Sequence, residues 1–314
     1  MTPEILATVL FCMDGVASAI VIVFGLAGNA MALFILTRPK LRSSTYTFLT
    51  GLALWDMAVL LGTLFFISLP QLSDDYKRHV WPFVMVYVYP AVLVVRFGTI
   101  WTTVSLTVER YIAVCIPLKV TTLCTVHRAR IILVIVAVAA VLFNVCRWFE
   151  YAITETVEIH DNHTIALLGY TETAFGHNAM FKRIYYQYIY TIVVICIPFG
   201  LLAVINTHLM LAVRRSKLAQ ETMCSRKYKE HRVSVMLTVV VLVFICCQVP
   251  AVVYNIAYSI NVDIKDAFHW QVLSSLRNLL ITVNSAVNFL LYYALSKKFR
   301  SIFMQVFCRK RIQK

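Results

Sequence analysis

Apolar residues in this chain neither alternate with polar ones nor recur as the narrow stripe of a soluble amphipathic helix; they run on uninterrupted. A helix rises ~1.5 Å per residue, so about 20 apolar residues cross the ~30 Å of hydrocarbon in a bilayer. Stretches of that length occur seven times, at residues 15–37, 46–70, 84–113, 131–152, 186–212, 233–259 and 268–294. The polar segments between them are short, the longest being 153–185 and 213–232. The pattern predicts an all-α membrane fold: one seven-transmembrane helix bundle over residues 15–294, with residues 1–14 before it and 295–314 after it. In the last segment Phe299, Ile302, Phe303 and Phe307 recur at helical spacing with bases between them. That spacing predicts a short amphipathic helix on the inner leaflet, a frayed cationic tail being the alternative. No soluble domain, fixed-period repeat or low-complexity tract is visible.

Composition agrees: of 314 residues, 60% are hydrophobic and 14% charged, too apolar for a soluble domain of this size. The net charge of +14 could suggest nucleic acid, but its placement excludes that reading. Twenty Lys and Arg crowd residues 38–42, 119–130, 214–232 and 297–314, against only Glu221 and Glu230. The opposite segments hold ten acids and five bases. Basic loops face the cytoplasm, so the N-terminus is expected outside and the C-terminus in the cytoplasm, the charge addressing anionic inner lipid. The first residues include Glu4 and lack the basic flank of a cleavable signal, so the first span is expected to serve as the insertion signal. Asn162-His163-Thr164 is a glycosylation sequon on the expected outer side, and Cys308 is a candidate acylation site. None of the nine cysteines lies in an outer loop, so no disulfide framework follows.

Charged residues within the spans require a reason, because each costs a few kcal/mol in hydrocarbon. Asp56 lies about 15 Å along the second span, at a depth shared by Thr99, Asn284, Ser285 and Asn288. An acid ringed by neutral oxygens suits a small hard cation; a hydrogen-bonded seam between helices would explain the set equally well. Glu109 and Arg110 end the third span, and Glu230 enters the sixth. An arginine held between acids on two helices would be a latch with two distinct states, while interface snorkelling is the plain alternative. Arg96, Arg147 and Arg277 sit roughly 25–30 Å up three different spans, and Arg147 is three residues from Glu150, close enough to pair. Arg96 and Arg277 are then left without an evident partner, which points to a wet, ligand-contacting cavity or to a structural role.

The segments "GLAGN", "LALWD", "ERYIAVCIPL", Pro198, "FICCQVP" and "NFLLYYALSKKFR" follow one another as in rhodopsin-like G-protein-coupled receptors, over residues 15–308. "TLCTVHRAR", "FNVCRWFEY" and "NFLLY" resemble the invertebrate FMRFamide-type neuropeptide receptors more narrowly. The resemblance implies an activation set. Arg110 would be restrained by Glu109 and Glu230, Phe244 and Pro250 would serve packing and hinge in the sixth span, and Asn288 and Tyr292 would act in the seventh. It further implies an allosteric sodium pocket of Asp56, Thr99, Asn284, Ser285 and Asn288, with no other cofactor. Partners would be an extracellular peptide or small molecule, a heterotrimeric G protein, an arrestin-type regulator and membrane lipid. The ligand set is expected to include Arg96, Arg277, Gln248 and Glu150.

Four positions depart from the family pattern. Met85 stands where a disulfide cysteine is usual, Gln248 replaces a Trp, Phe289 replaces a Pro and Asn206 replaces a Tyr. The acidic outer segments should attract amidated Arg-Phe peptides, whereas Arg96 and Arg277 suit a carboxylate or an aromatic face. A small acidic molecule or chemosensory cue is therefore the second choice of ligand. Other classes fit less well. A retinal protein needs a lysine in the seventh span, and residues 268–294 contain none. A transporter with inverted repeats would show two matching halves. An enzyme would need a constellation that His208 and His269, both near span ends, do not provide.

Overall fold

Helices that are apolar on every side lie in a large protein core or span a membrane, and in a membrane bundle small residues are enriched where helices meet. The fourth span (Val126–Phe149) shows this: Ile131, Ile135, Val138 and Leu142 are exposed, while Ala129, Val136 and Ala140 are buried against the bundle. The computed structural model describes residues 3–160, 163–218, 225–260 and 267–307, with side chains for 4–155, 167–212, 235–257 and 267–307. Asn162, Cys308 and the side chain of Glu230 lie outside the described residues.

Seven helices are long and apolar enough to cross a membrane. Besides the fourth they are Glu4–Leu36, Ser44–Leu72, Trp81–Cys115, Ala179–Ala212, Val235–Ala257 and Phe268–Leu295. The third span is central, touching the second, fourth, fifth and sixth; the seventh closes the ring against the first, second and sixth. Glycine permits close approach at several crossings, Gly51 and Gly98 among them. A Cβ at Gly51 would meet Leu133 of the fourth span, and one at Gly98 would lie 2.6 Å from the Trp55 ring. A C-terminal helix, Lys297–Phe307, buries Phe299 and Ile302 against a cluster containing Ile35, Leu36 and Tyr292. The spacing of its apolar residues is thus that of an ordered amphipathic helix.

Two features differ from the pattern of apolar runs. The first helix starts at Pro3, so most of residues 1–14 belong to the first span rather than to a segment ahead of it. Asp14 broke the apolar window, yet it is buried, because the Ser275 hydroxyl donates to its Oδ2 over 2.5 Å. The second difference is a two-stranded hairpin, β1 (Tyr151–His160) paired antiparallel with β2 (His163–Glu172), added to the otherwise helical architecture. β1 is rich in β-branched residues (Ile153, Thr154, Thr156, Val157, Ile159), which favour an extended pleat over a helix.

Candidate functional site

The polar residues of the spans form three layers, beginning at the basic end of the bundle. Ser43 caps the second span by accepting from the Tyr46 amide, and this presents Ser44 and Thr45 to the third span. The Ser44 hydroxyl donates to Glu109 Oε1 over 2.5 Å and the Thr45 hydroxyl to the same oxygen over 3.2 Å. Arg110 donates from Nε to Glu109 Oε2 over 2.5 Å, and its terminal nitrogen donates to Thr45 Oγ1. Glu109 is therefore held by a guanidinium and by the positive N-terminal end of a helix together. Both residues of the pair are buried. Among the described residues the arginine is held by Glu109 and Thr45; the Glu230 side chain, the other acid of the expected latch, lies outside them. Nearby, Tyr292 is buried edge-on to Phe299 at 5.9 Å, in a cluster with Leu106, Met236 and Val240.

The middle layer centres on Asp56, which has no exposed surface. Asn288 donates to its Oδ2 over 2.6 Å, while Oδ1 is buried with no hydrogen-bond partner. Thr99, Asn284 and Ser285 are buried, and Asn29 holds the Ser285 carbonyl at 2.7 Å. An orphaned carboxylate oxygen among hydroxyls and amides fits a small monovalent cation. Among the described residues no cluster of three or more His, Cys, Asp or Glu suits a transition metal. Between this layer and the next, Phe244 is buried in a cluster with Ile100 and Val104 and faces Phe199 at 6.1 Å. Pro250 lies inside the sixth helix and Gln248 is half-buried two residues before it.

The third layer lies toward the hairpin. Arg147 donates to both oxygens of Glu150, at 2.7 and 3.0 Å, and to the Tyr89 hydroxyl at 2.9 Å. Tyr186 donates to Glu150 over 2.7 Å and lies 4.2 Å from the Arg147 guanidinium. Glu150 is thus buried in a brace rather than open to a cavity. Arg277 lies 4.3 Å over the Tyr254 ring and donates to Ser274 at 3.0 Å and to Asn278 at 3.2 Å. Arg96 is within electrostatic range of Arg277, Tyr89 and Tyr190, and its Nε is buried without a hydrogen-bond partner.

Above this layer the hairpin is held without a disulfide. All seven described cysteines are free. Instead, the Thr173 amide and hydroxyl donate to the carbonyls of Glu150 and Phe149 at 2.9 and 2.6 Å. Tyr170 packs edge-on against Trp81 at 5.4 Å, and the Trp81 indole donates to the Phe66 carbonyl. Lys182 Nζ lies 2.7 Å from Glu172.

Several members of these layers escape a reading of the sequence alone. Ser44 and Thr45 look like ordinary helix-start residues, and Asp14 looks like part of an acidic outer segment. The tyrosines of "YYQYIY" (185–190) carry no charge that would single them out within an apolar span. An acid 261 residues before its serine partner leaves no local signal.

Comparison with known proteins joins these layers into one pattern. Residues 28–292 match the 7 transmembrane receptor (rhodopsin family) profile. The chain is 31% identical over 312 residues to the FMRFamide receptor of Drosophila melanogaster, covering 97% of this chain and 55% of that protein. It is 26% identical over 297 residues to the FMRFamide peptide receptor frpr-18 of Caenorhabditis elegans, covering 90% and 66%. To the thyrotropin-releasing hormone receptor of Gallus gallus it is 25% identical over 306 residues, covering 90% and 75%. The chain therefore spans between about half and two thirds of the length of the two FMRFamide receptors. A match running from Gly28 in the first span to Tyr292 in the seventh covers most of the chain and reaches all seven spans, so the chain belongs to the rhodopsin family of seven-transmembrane receptors.

Proposed function

We propose that the chain is a plasma-membrane receptor that binds a short neuropeptide at its hairpin end and activates a heterotrimeric G protein at its basic end. The distribution of Lys and Arg supports a cytoplasmic basic end. The observation that carries the reading is the buried Arg110, closed onto Glu109 and Thr45, on the same helix as the partly accessible Arg96. Fourteen residues separate the two arginines, about 21 Å along the axis. A ligand that prefers the arrangement with the latch open shifts the population toward it, and a G protein bound at the opened face tightens the ligand in return.

Within this reading, Asp56 with Thr99, Asn284, Ser285 and Asn288 holds a sodium ion that favours the closed state. Arg214, Arg215 and Lys229 join Arg110 in receiving the G protein. The C-terminal helix lies on anionic inner lipid, and an arrestin-type regulator shares the opened face. The relatives named for FMRFamide support a short amidated peptide as the ligand class.

The test is G-protein dissociation in cells expressing the chain, screened with amidated peptides including FMRFamide. Saturable activation by a peptide, abolished in Arg110→Ala at equal surface expression, is the expected result. Activation that survives Arg110→Ala overturns the latch, and silence toward the whole peptide panel overturns the ligand class.

A further inference from the structure

The layer beneath the hairpin does not balance its charge. Its cations are Arg96, Arg147 and Arg277, and its anions are Glu150 and Asp14. Arg147 and Glu150 neutralise one another through a two-point contact. Asp14 lies in electrostatic range of Arg277 and is anchored by Ser275. That leaves one positive charge, and geometry assigns it to Arg96. Among the described residues no carboxylate pairs with this side chain, its Nε is buried without a hydrogen-bond partner, and the Arg277 guanidinium lies within electrostatic range of it.

An uncompensated cation facing another cation deep in a bundle is unfavourable unless something of opposite charge joins them. The surroundings are shaped for such a group. Leu93, Val94, Phe97 and Ile100 around Arg96 are buried, yet Arg96, Arg277, Tyr89, Tyr190 and Tyr254 all keep partial access. Each of these side chains thus keeps a face toward accessible space. Arg277 is steadied directly by the neutral groups Tyr254, Ser274 and Asn278, while Asp14 acts on it only at longer range, so its guanidinium has no direct ion pair among the described residues. Tyr89 and Tyr190 stand in range of both arginines and carry hydroxyls that can donate to an anion.

We infer that Arg96 and Arg277 form a carboxylate subsite, so that the ligand enters the bundle with an acidic group leading. Planar guanidiniums on two helices would grip the two oxygens of one carboxylate, the pairing in which arginine outperforms lysine. This deepens the proposed receptor function and rests on it in one respect, that the space is where the ligand binds. It also changes the ligand: FMRFamide has an arginine and a capped C-terminus but no acid, so the cognate peptide carries an acidic residue or a free C-terminus.

The binding chemistry is tested apart from signalling. Thermal melting of the purified full chain in detergent, at constant chloride, is compared with 3-phenylpropionate and with its neutral amide, 3-phenylpropanamide. The acid is expected to raise Tm saturably and the amide not to, with the shift lost in Arg96→Gln and Arg277→Gln. Arg96→Gln without ligand is expected to melt no lower than the parent, since it removes an unpaired charge; a clear fall in Tm would make Arg96 a structural residue and overturn the proposal. Equal shifts with acid and amide, no shift with the acid, or a shift retained in both variants would do the same.

Signalling then separates the possible sources of the acid. Glu-FMRFamide is compared with Gln-FMRFamide, and uncapped FMRF with FMRFamide, in the G-protein assay. A potency gain of roughly tenfold for one acid-bearing member, abolished by Arg96→Gln, places the carboxylate on a side chain or at the C-terminus accordingly. If the acid stabilises the purified protein but no peptide signals, the subsite stands and the peptide reading falls.

Discussion

Thr45 and Glu109 meet across the gap between the second and third spans, the threonine hydroxyl donating to Glu109 Oε1 over 3.2 Å while its oxygen accepts from Arg110. One hydroxyl thereby joins an acid and a base that are already adjacent in the chain. The third span cannot release Arg110 without also letting go of the second. Thr45→Val keeps the shape and removes both bonds. With a net value of about 1 kcal/mol for each of the two hydrogen bonds, agonist-independent G-protein activation should rise by up to roughly thirtyfold. Basal output measured at matched surface expression checks this, and an unchanged level would mean that Thr45 does not hold the closed state.

Asp56 has one satisfied and one orphaned oxygen. If sodium fills the orphaned side, the purified parent should melt several degrees higher in sodium than in N-methylglucamine at equal ionic strength. Asp56→Asn should erase that difference and the sodium dependence of agonist affinity with it. A parent whose melting is indifferent to sodium has no such pocket.

Glu150 is buried with Arg147 and takes further support from Tyr186. Removing one member of a buried pair strands the other, a loss of about 3–5 kcal/mol. Glu150→Gln should therefore lower Tm markedly, and the double change Arg147→Met with Glu150→Leu should recover much of it. A double variant as unstable as the single one would show that the tyrosine contacts, not the charge pair, hold this corner.

Lys182 donates to Glu172 at the foot of the hairpin and, with His177, holds the Glu172 carboxyl below the usual carboxylate range. A depressed pKa stabilises the fold above the unfolded-state value of about 4.3, and that stabilisation is lost as pH falls through the lower folded value. The pair is well exposed, so the effect is small. Melting curves at pH 6 and near pH 3.5 should show a larger acid loss in the parent than in Lys182→Met, and equal losses would remove the pair from the account.

The length of the apolar runs and the side on which Lys and Arg gather are properties of the one-dimensional chain. Seven spans and the amphipathic last helix were legible from the apolar pattern, because a bilayer selects by length regardless of neighbours, and the placement of Lys and Arg carries the expectation of orientation. Depth was legible too, since a helix converts residue number into distance; hence Asp56 and Asn288 could be placed at one level before their contact was seen. Partnership was not. Whether Arg110 turns to Thr45, whether Asp14 is an outer acid or a buried one, and whether Arg96 ends beside Arg147 with its glutamate or beside a second cation all depend on the rotation of each helix about its axis. That rotation is decided by how small residues such as Gly51, Gly98 and Ala140 let neighbouring helices approach, a matter of packing between segments far apart in the chain. The hairpin is the same case: its strand propensity is local, but what replaces a disulfide in holding it, Trp81 and the Phe149 and Glu150 carbonyls, is assembled only when the spans come together.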